Sequence, residues 1–463
     1  MSIRILATAD LHIGRVSSNS ERIGSYGATR ETWLRLVEWA AEQQVHAVVL
    51  SGDLVEHQNS YFEAEGVLGD GLEILNKSEI PVLMVSGNHD FDVLPALLRN
   101  RDFTHVHLLG DKGTWEEKTL AIADRDVQFF GWSFPARRIS FDPLTDFPAD
   151  KINPEIPSIG LLHGDYQARE SHYAPLSSTG LAATGVDAWV LGHIHKPQTL
   201  RDSKPLIFYP GSPHALNPKE DGPHGPFILT IETETPQVHR KKTYFPVRIH
   251  HIPLSPVRYE RIEVDISAIL QQPTDPADTP EGTGEDTHAD ENDIKAKVVR
   301  ACRDAAEKHQ ETSDHLRLLS LDVILTGRIP NIPQVEQWME KWDVEELVQR
   351  TGSIQTVVRK LEHQCTLLVQ NLEALSREPS PAGVLARAIL DLENKQPSDF
   401  LDSLRAKVKN GIDKLNDQPA FSDIRNSADH ELLQPESPSM DRLLLSQCHR
   451  LLSELLSSNQ NPR

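Results

Sequence analysis

Five short segments carry side chains that could hold metal ions: Asp10-Leu11-His12, Gly52-Asp53, Gly87-Asn88-His89-Asp90, His163-Gly164-Asp165 and Gly192-His193-Ile194-His195. Each follows a short apolar run, so each sits where a buried strand would end. In α/β sheets that edge is where ligands bind. Imidazole, carboxylate and amide donors together suit manganese, iron or zinc, whereas magnesium prefers oxygen alone. Two divalent ions roughly 3.5–4 Å apart can clamp the attacking and leaving oxygens of a phosphate ester. Holding two like charges that close calls for a bridging carboxylate. Alternation along a strand predicts that Asp10 and His12, and likewise His193 and His195, face the same way. Gly52, Gly87 and Gly192 are expected to let the backbone turn sharply beside these side chains.

The elements that must position them are legible as apolar runs at Ile3–Ala9, Ala47–Leu50, Pro81–Val85, Val127–Trp132, Ser158–Leu162 and Ala188–Leu191. They are nearly continuous in apolar residues, as strands covered on both faces are. Helical periodicity over Arg30–Gln44 and Phe62–Lys77 separates the early ones, which predicts an α/β layered domain. Strands at Leu206–Tyr209 and Pro226–Ile231 have no helix between them and predict an antiparallel hairpin. The expected organisation is a catalytic domain over 1–245, a small α+β domain over 246–375 and a helical region over 376–463. In the second of these, Val257–Ile266 and Leu316–Leu325 read as strands and Asp293–Gln310 as a helix. Gln271–Asp293, rich in Pro, Gly, Asp and Glu, reads as a disordered acidic insertion. Near the end, Met440–Ser457 sets Leu444, Leu445, Leu451, Leu452, Leu455 and Leu456 on a broad apolar stripe, suited to its own chain or to a partner helix.

Composition narrows the function classes. The 463 residues carry 47 basic and 68 acidic side chains, a formal charge of −21, which excludes a generic nucleic-acid-coating protein but not one that touches DNA at a local site. Three cysteines, Cys302, Cys365 and Cys448, lie too far apart for a disulfide scaffold or a paired-cysteine zinc site and read as small buried groups. Fourteen of the 21 histidines fall in residues 1–250, where the candidate ligands are. No apolar run approaches the roughly 20 residues of a membrane span, and the N-terminus lacks a signal-peptide layout. A soluble cytoplasmic protein is expected.

The ordered set Asp10/His12, Asp53, Asn88/His89, His163 and His193/His195 resembles the calcineurin-like metallophosphoesterase superfamily. The flanking text TADLHIG, SGDLVEH, VSGNHD and LGHIHKPQ is similar to the SbcD-type nuclease subunits of DNA double-strand-break-processing complexes, and most of all to YhaO-like bacterial relatives. Tyr209–Pro213 with Asn217–Pro223 resembles a loop of that subfamily, and Leu325–Arg328 a strand of its capping domain. The resemblance implies a two-sheet sandwich flanked by helices, with a capping domain beyond it. It implies one metal ion on Asp10, His12, Asp53 and His195, and a second on Asp53, Asn88, His163 and His193, manganese being the expected ion. His89 would protonate the leaving oxygen or stabilise charge at phosphorus, and Asp90 would orient it. The family often has His or Asp three residues after the bridging aspartate. Here that position is Glu56, with His57 beside it, which leaves the role of both open.

These readings lead to a metal-dependent DNA nuclease, an exonuclease or end- and hairpin-cleaving phosphodiesterase, working beside a coiled-coil ATPase of the SbcC or YhaN type, with a homodimer left open. Two alternatives stand beside it: a phosphodiesterase or phosphatase for small nucleotides, and a non-catalytic interaction subunit that retains metals. His172, His214, Lys196, Arg137 and Arg138 could touch substrate, although each read singly is a surface residue.

Overall fold

The computed structural model describes residues 2–18, 20–56, 62, 64–168, 171–234, 237–239, 242–270, 291–369, 371–416 and 438–460. The chain divides into two compact units. One comprises residues 1–260, 305–321 and 349–357, and the other residues 261–304, 322–348 and 358–463.

The first unit contains twelve principal strands: β1 (Ser2–Thr8), β2 (Ala47–Ser51), β3 (Val82–Val85), β4 (Val106–Leu108), β5 (Glu116–Ile122), β6 (Arg125–Trp132), β7 (Ser158–His163), β8 (Ala188–Gly192), β9 (Gln198–Arg201), β10 (Leu206–Tyr209), β11 (Phe227–Glu232) and β12 (Val247–His251). They form two six-stranded sheets, ordered β12-β11-β1-β2-β3-β4 and β9-β10-β8-β7-β6-β5. In the first sheet β1 to β4 run parallel and β11 and β12 add antiparallel at one edge; in the second, β10, β8, β7 and β6 run parallel and both edge strands pair antiparallel.

Residue parity decides the layers. Ile3, Ile5, Ala7, Val49, Leu83 and Val85 of the first sheet share one core with Phe129, Ile159, Leu161, Val190 and Phe208 of the second. The alternate residues Leu6, Val48, Leu50, Val82 and Met84 face α1 (Thr29–Glu42), α2 (Gly69–Lys77) and α3 (Leu94–Asn100). On the far side of the second sheet, Phe130, Trp132, Leu162, Trp189, Leu191, Ile207 and Tyr209 pack under loops. Apolar residues at every position of a run are therefore what a strand covered on both faces requires. The fold is the expected mixed α/β sandwich.

Three local expectations need correction. Leu206–Tyr209 and Phe227–Glu232 form no hairpin: β10 pairs with β8 and β9, whereas β11 joins the other sheet beside β1. Residues 64–68 form a π-helical turn before α2, so the second helix is shorter than its periodicity suggested. Of the supposed acidic insertion, residues 271–290 lie outside the described residues, and Glu291–Asp293 are the first turn of a helix, α4 (Glu291–Gln310).

In the second unit, α5 (Ile332–Lys341), α6 (Pro381–Glu393), α7 (Asp399–Asn416) and α8 (Pro438–Gln460) account for the helical pattern. The stripe of α8 is narrower than the leucine count implied. Met440, Leu444, Cys448 and Leu452, four apart, are buried, while Leu443 and Leu451 are 42% and 47% exposed. The buried stripe packs on α6 and α5 of the same chain. All three cysteines are buried. Among the described residues, no helix is long and apolar enough to cross a membrane.

His214 is a fold element, not a surface residue. Its ring is fully buried, with Nε2 2.7 Å from Ser17 Oγ and Nδ1 2.7 Å from Thr32 Oγ1. Ser17 Oγ donates onward to the Ala215 carbonyl, so it accepts from Nε2–H, and the Thr32 hydroxyl donates to Nδ1. That is the neutral imidazole, and burial pushes its pKa down to about 4. An unfolded histidine titrates near 6.5, so the stability this group contributes is complete above that pH and is lost as pH falls toward 4. From pH 7 to about 4.5 the loss should be roughly 2–3 kcal/mol. Urea midpoints across this range should fall more steeply for the native protein than for His214→Gln; parallel curves would exclude the assignment.

Candidate metal centre

The carboxyl ends of β1, β2 and β3 in one sheet and of β7 and β8 in the other meet at one edge of the sandwich. The loops they enter are stitched by backbone hydrogen bonds. Asp10 N–H donates to Gly52 O, His12 N–H to Asp53 O and Gly164 N–H to Gly192 O, at 3.0, 3.0 and 3.1 Å. Asp10, His12, Asp53 and His193 all adopt positive φ, at 51°, 41°, 51° and 106°. Non-glycine residues rarely hold this conformation, and where they do they cluster at functional sites. These residues have already left their strands. The pairs Asp10/His12 and His193/His195 are thus aimed by loop conformation and not by strand alternation.

The side chains converge as follows. Oxygen and nitrogen atoms of Asp10, His12 and His195 lie within 4.8 Å of one another, as do those of Asp10, Asp53 and His163 and those of His12, Glu56 and His89. Asp53 Oδ2 lies 3.3 Å from His163 Nε2 and 3.9 Å from His12 Nε2, while its Oδ1 accepts from His89 N–H at 2.9 Å. His163 Nε2 is also 3.2 Å from Asn88 Oδ1. His12 Nε2 and His195 Nε2 face each other at 3.1 Å.

Hydrogen bonds on the far side of the rings assign the tautomers. His163 Nδ1 donates to the Ser51 carbonyl at 3.0 Å, and His195 Nδ1 to Glu220 Oε1 at 2.9 Å. His12 Nδ1 lies 3.3 Å from Glu56 Oε2. The His163 and His195 rings therefore spend their Nδ1 protons outward, and all three rings turn Nε2 inward, toward another ring nitrogen or a carboxylate oxygen. Such contacts repel unless a cation or a proton lies among them. This arrangement fits divalent metal ions: imidazoles locked by outer acceptors, as metal-ligating histidines almost always are, around carboxylates and one amide. Without metal, protons must fill the role. Burial would lower the His163 pKa, but Asp53 overrides it and holds it up at about 9. Burial likewise works against ionised Asp53, and His163, His12 and His89 keep it far below the usual carboxylate range.

Two expected partnerships differ. Asp90 does not orient His89: its oxygens accept the backbone N–H groups of Leu54 and Gly87 at 2.6 and 2.7 Å, pinning two site loops together. Burial and the nearby Asp53 charge raise the Asp90 pKa to about 7. The carboxylate on His89 is Glu56, whose Oε1 lies 3.0 Å from His89 Nδ1 and raises the pKa of that ring. His57 lies outside the described residues. His193 donates its backbone N–H to Asp10, but its Nε2 lies 3.3 Å from Asp165 Oδ1 and its ring leans on Tyr173. His193 is thus at the rim of the cluster and outside its three tight groups.

The sequence places Glu220 in the Asn217–Pro223 loop motif but assigns it no role. It is buried, and its second oxygen accepts the Leu216 N–H at 2.7 Å while Asn217 Nδ2 braces the first. Only its place in the loop after the last histidine pair marked it.

The glycines act differently from one another. Gly52 has φ +85° and makes a true turn. Gly87 and Gly192 serve close approach: a Cβ on Gly87 would lie 2.2 Å from Asp53 Oδ1, and one on Gly192 1.8 Å from Ser51 O. The remaining candidates fall outside the cluster. Lys196 pairs with Asp221 at 2.5 Å, both more than half exposed, and His172, Arg137 and Arg138 are exposed.

Residues 3–197 match the family described as Calcineurin-like phosphoesterase. That segment is a calcineurin-like metallophosphoesterase domain. Among curated proteins the chain is similar to the uncharacterized metallophosphoesterase YhaO of Bacillus subtilis, 28% identical over 201 residues, 42% of this chain and 48% of that one. It is also similar to the SbcD component of nuclease SbcCD from the same organism (24% identical; 48% of this chain, 64% of that one). A third relative is the DNA double-strand break repair protein Mre11 of Methanopyrus kandleri (24% identical; 58% of each). The chain thus spans about half to two thirds of the length of these relatives. The metallophosphoesterase domain holds all seven candidate ligands.

Gly192→Ala should be costly, because the new methyl group meets a backbone carbonyl that no rotamer change can move. The expected loss is about 1–3 kcal/mol or more in a denaturant midpoint, since overpacking displaces main chain. A variant as stable as the native protein would show that the strands can separate freely at this seam.

Proposed function

We propose that the domain is a metal-dependent phosphodiesterase acting on DNA, with two divalent ions in the strand-end cluster. The observation that carries this reading is the set of inward-facing Nε2 atoms of His12, His163 and His195 around Asp53. In this reading Asp10, His12, Asp53 and His195 hold one ion and Asp53, Asn88, His163 and His193 the other, with Asp53 shared. When bound, the ions lower the pKa of water and neutralise charge on the phosphate oxygens. His193 joins its set by leaving Asp165, a partner it meets at only 3.3 Å.

His89 handles the proton. Its ring is the most solvent-open imidazole touching the Asp53–Glu56 cluster, 27% exposed, and so is free to meet a substrate. Glu56 fixes Nδ1 as the donor to itself, leaving Nε2 to protonate a leaving oxygen or bond a phosphate oxygen. Glu56 also contacts His12, so it is a positioning residue for both rings.

The DNA substrate is supported by the relatives, one named as part of a nuclease and another as a double-strand break repair protein. An assembly with a coiled-coil ATPase, and manganese as the ion, belong to the same reading. With a net charge of −21 the chain offers few phosphate contacts, so DNA affinity alone should be weak and salt-sensitive.

Purified protein with manganese should cleave linear duplex DNA as well as a generic phosphodiester ester. His89→Ala should keep its metal by elemental analysis and lose about 10²–10⁴-fold in rate. Asp53→Ala should lose metal and activity together. Cleavage of the ester but never of DNA would move the substrate to small nucleotides, and full metal occupancy without any turnover would defeat the hydrolytic reading. Glu220→Ala should weaken manganese binding about 10–100-fold, read by calorimetry, because His195 loses the acceptor that sets its tautomer.

A further inference from the structure

We propose that residues 137–141, with His172, form a docking strip for a single-stranded nucleic-acid end beside the metal centre. This rests on the DNA reading above and deepens it.

The strip is built onto the site. Ile139 N–H donates to the His172 carbonyl at 2.8 Å, and Ala174 N–H returns a bond to the Ile139 carbonyl at 2.7 Å. The Ser140 hydroxyl and His172 Nδ1 add a third link at 3.0 Å. Between these bonds, Tyr173 packs on His193 with ring centroids 5.0 Å apart. A second path runs through aromatic rings. Phe141 meets Trp132 edge-on at 6.2 Å, Trp132 meets Phe134 at 5.6 Å, and Phe134 meets His163 at 5.5 Å. Trp132 and Phe134 are buried, whereas Phe141 is 55% exposed. The outermost ring of a rigid ladder thus stands in solvent, with the innermost against a candidate metal ligand.

Charge completes the case. Arg137 and Arg138 are adjacent and exposed. Among the described residues neither is in an ion pair, in a chain whose acidic groups outnumber its basic ones. A lone exposed aromatic or arginine is ordinary. Two unpaired guanidinium groups within four residues of an exposed, braced phenyl ring match what unpaired strands require: cations for phosphates and a flat face for a base. Duplex DNA hides its base faces in the stack, so the ring selects a single-stranded or frayed end.

The test uses the full-length protein and a fluorescently labelled single-stranded oligodeoxynucleotide, with anisotropy read across a sodium chloride series. For R137A/R138A the dependence of log affinity on log salt should become shallower by about 1.4, two contacts at roughly 0.7 each. Phe141→Ala should weaken binding about 5- to 150-fold with the salt slope kept, and Phe141→Trp should restore it. Thermal unfolding midpoints would establish that the variants are folded. Variants that are folded and bind with native affinity and slope overturn the strip, as does a native protein that binds no oligonucleotide even at low salt. DNA hydrolysis with strip-independent binding removes the strip and leaves the function standing. Strip-dependent binding without hydrolysis does the reverse.

Discussion

Everything at this edge of the sandwich depends on unshared electron pairs that face one another. Three imidazole Nε2 atoms, the Asp53 carboxylate and the Asn88 amide oxygen crowd together, and beyond the His89 N–H on Asp53 Oδ1 the donors this cluster calls for are protons added to the rings. Water could not hold such an arrangement. The protein does so because the outer nitrogens of His163 and His195 are tied to acceptors that cannot drift, the Ser51 carbonyl within β2 and the buried Glu220, while Glu56 lies 3.3 Å from the outer nitrogen of His12. The cost in electrostatics and in four residues at positive φ is sustained by two layers of core beneath. The same cost is what gives the pocket its appetite for cations.

The hydrogen-bonding groups that impose order are of two kinds. Ser51 O and the amides of Leu54 and Gly87 are main chain, fixed by the sheets and tight loops they belong to. Glu56 and Glu220 are side chains, and each is bound more than once, Glu56 by two histidines and Glu220 by a histidine, an amide side chain and a backbone N–H. A carboxylate with several donors has little rotational freedom left, and an imidazole leaning on it inherits that rigidity. Precision in the inner cluster is thus produced one shell out.

Much of this was legible in residue order, and the remainder was not for definite reasons. Continuous apolar runs gave away strands covered on both faces, and ligand-type residues after each run gave away the site. Direction within the site was hidden, because strand alternation could not foresee that Asp10, His12 and His193 leave their strands in the left-handed region. Asp90 stood next to His89 in sequence and was the natural orienting partner. Three-dimensional proximity instead favoured Glu56, and the Asp90 carboxylate found two backbone donors. A main-chain acceptor such as Ser51 O leaves no trace in residue identity. His214 looked ordinary because sequence alone does not report that two hydroxyls, from Ser17 and Thr32, converge on it.

The seam at Gly192 has a consequence for how the two sheets carry the site. The Ser51 main chain of one sheet and the Gly192 main chain of the other approach so closely that not even a methyl group fits, and the Ser51 hydroxyl bonds the Val190 carbonyl across the same gap at 2.9 Å. Loops that follow these strands start from a fixed gauge. Separation between ligands contributed by opposite sheets is therefore metered by polypeptide touching polypeptide, like the jaws of a caliper closed on a stop. Core substitutions deeper in the sandwich can swell or shrink their own surroundings while the jaw opening stays the same.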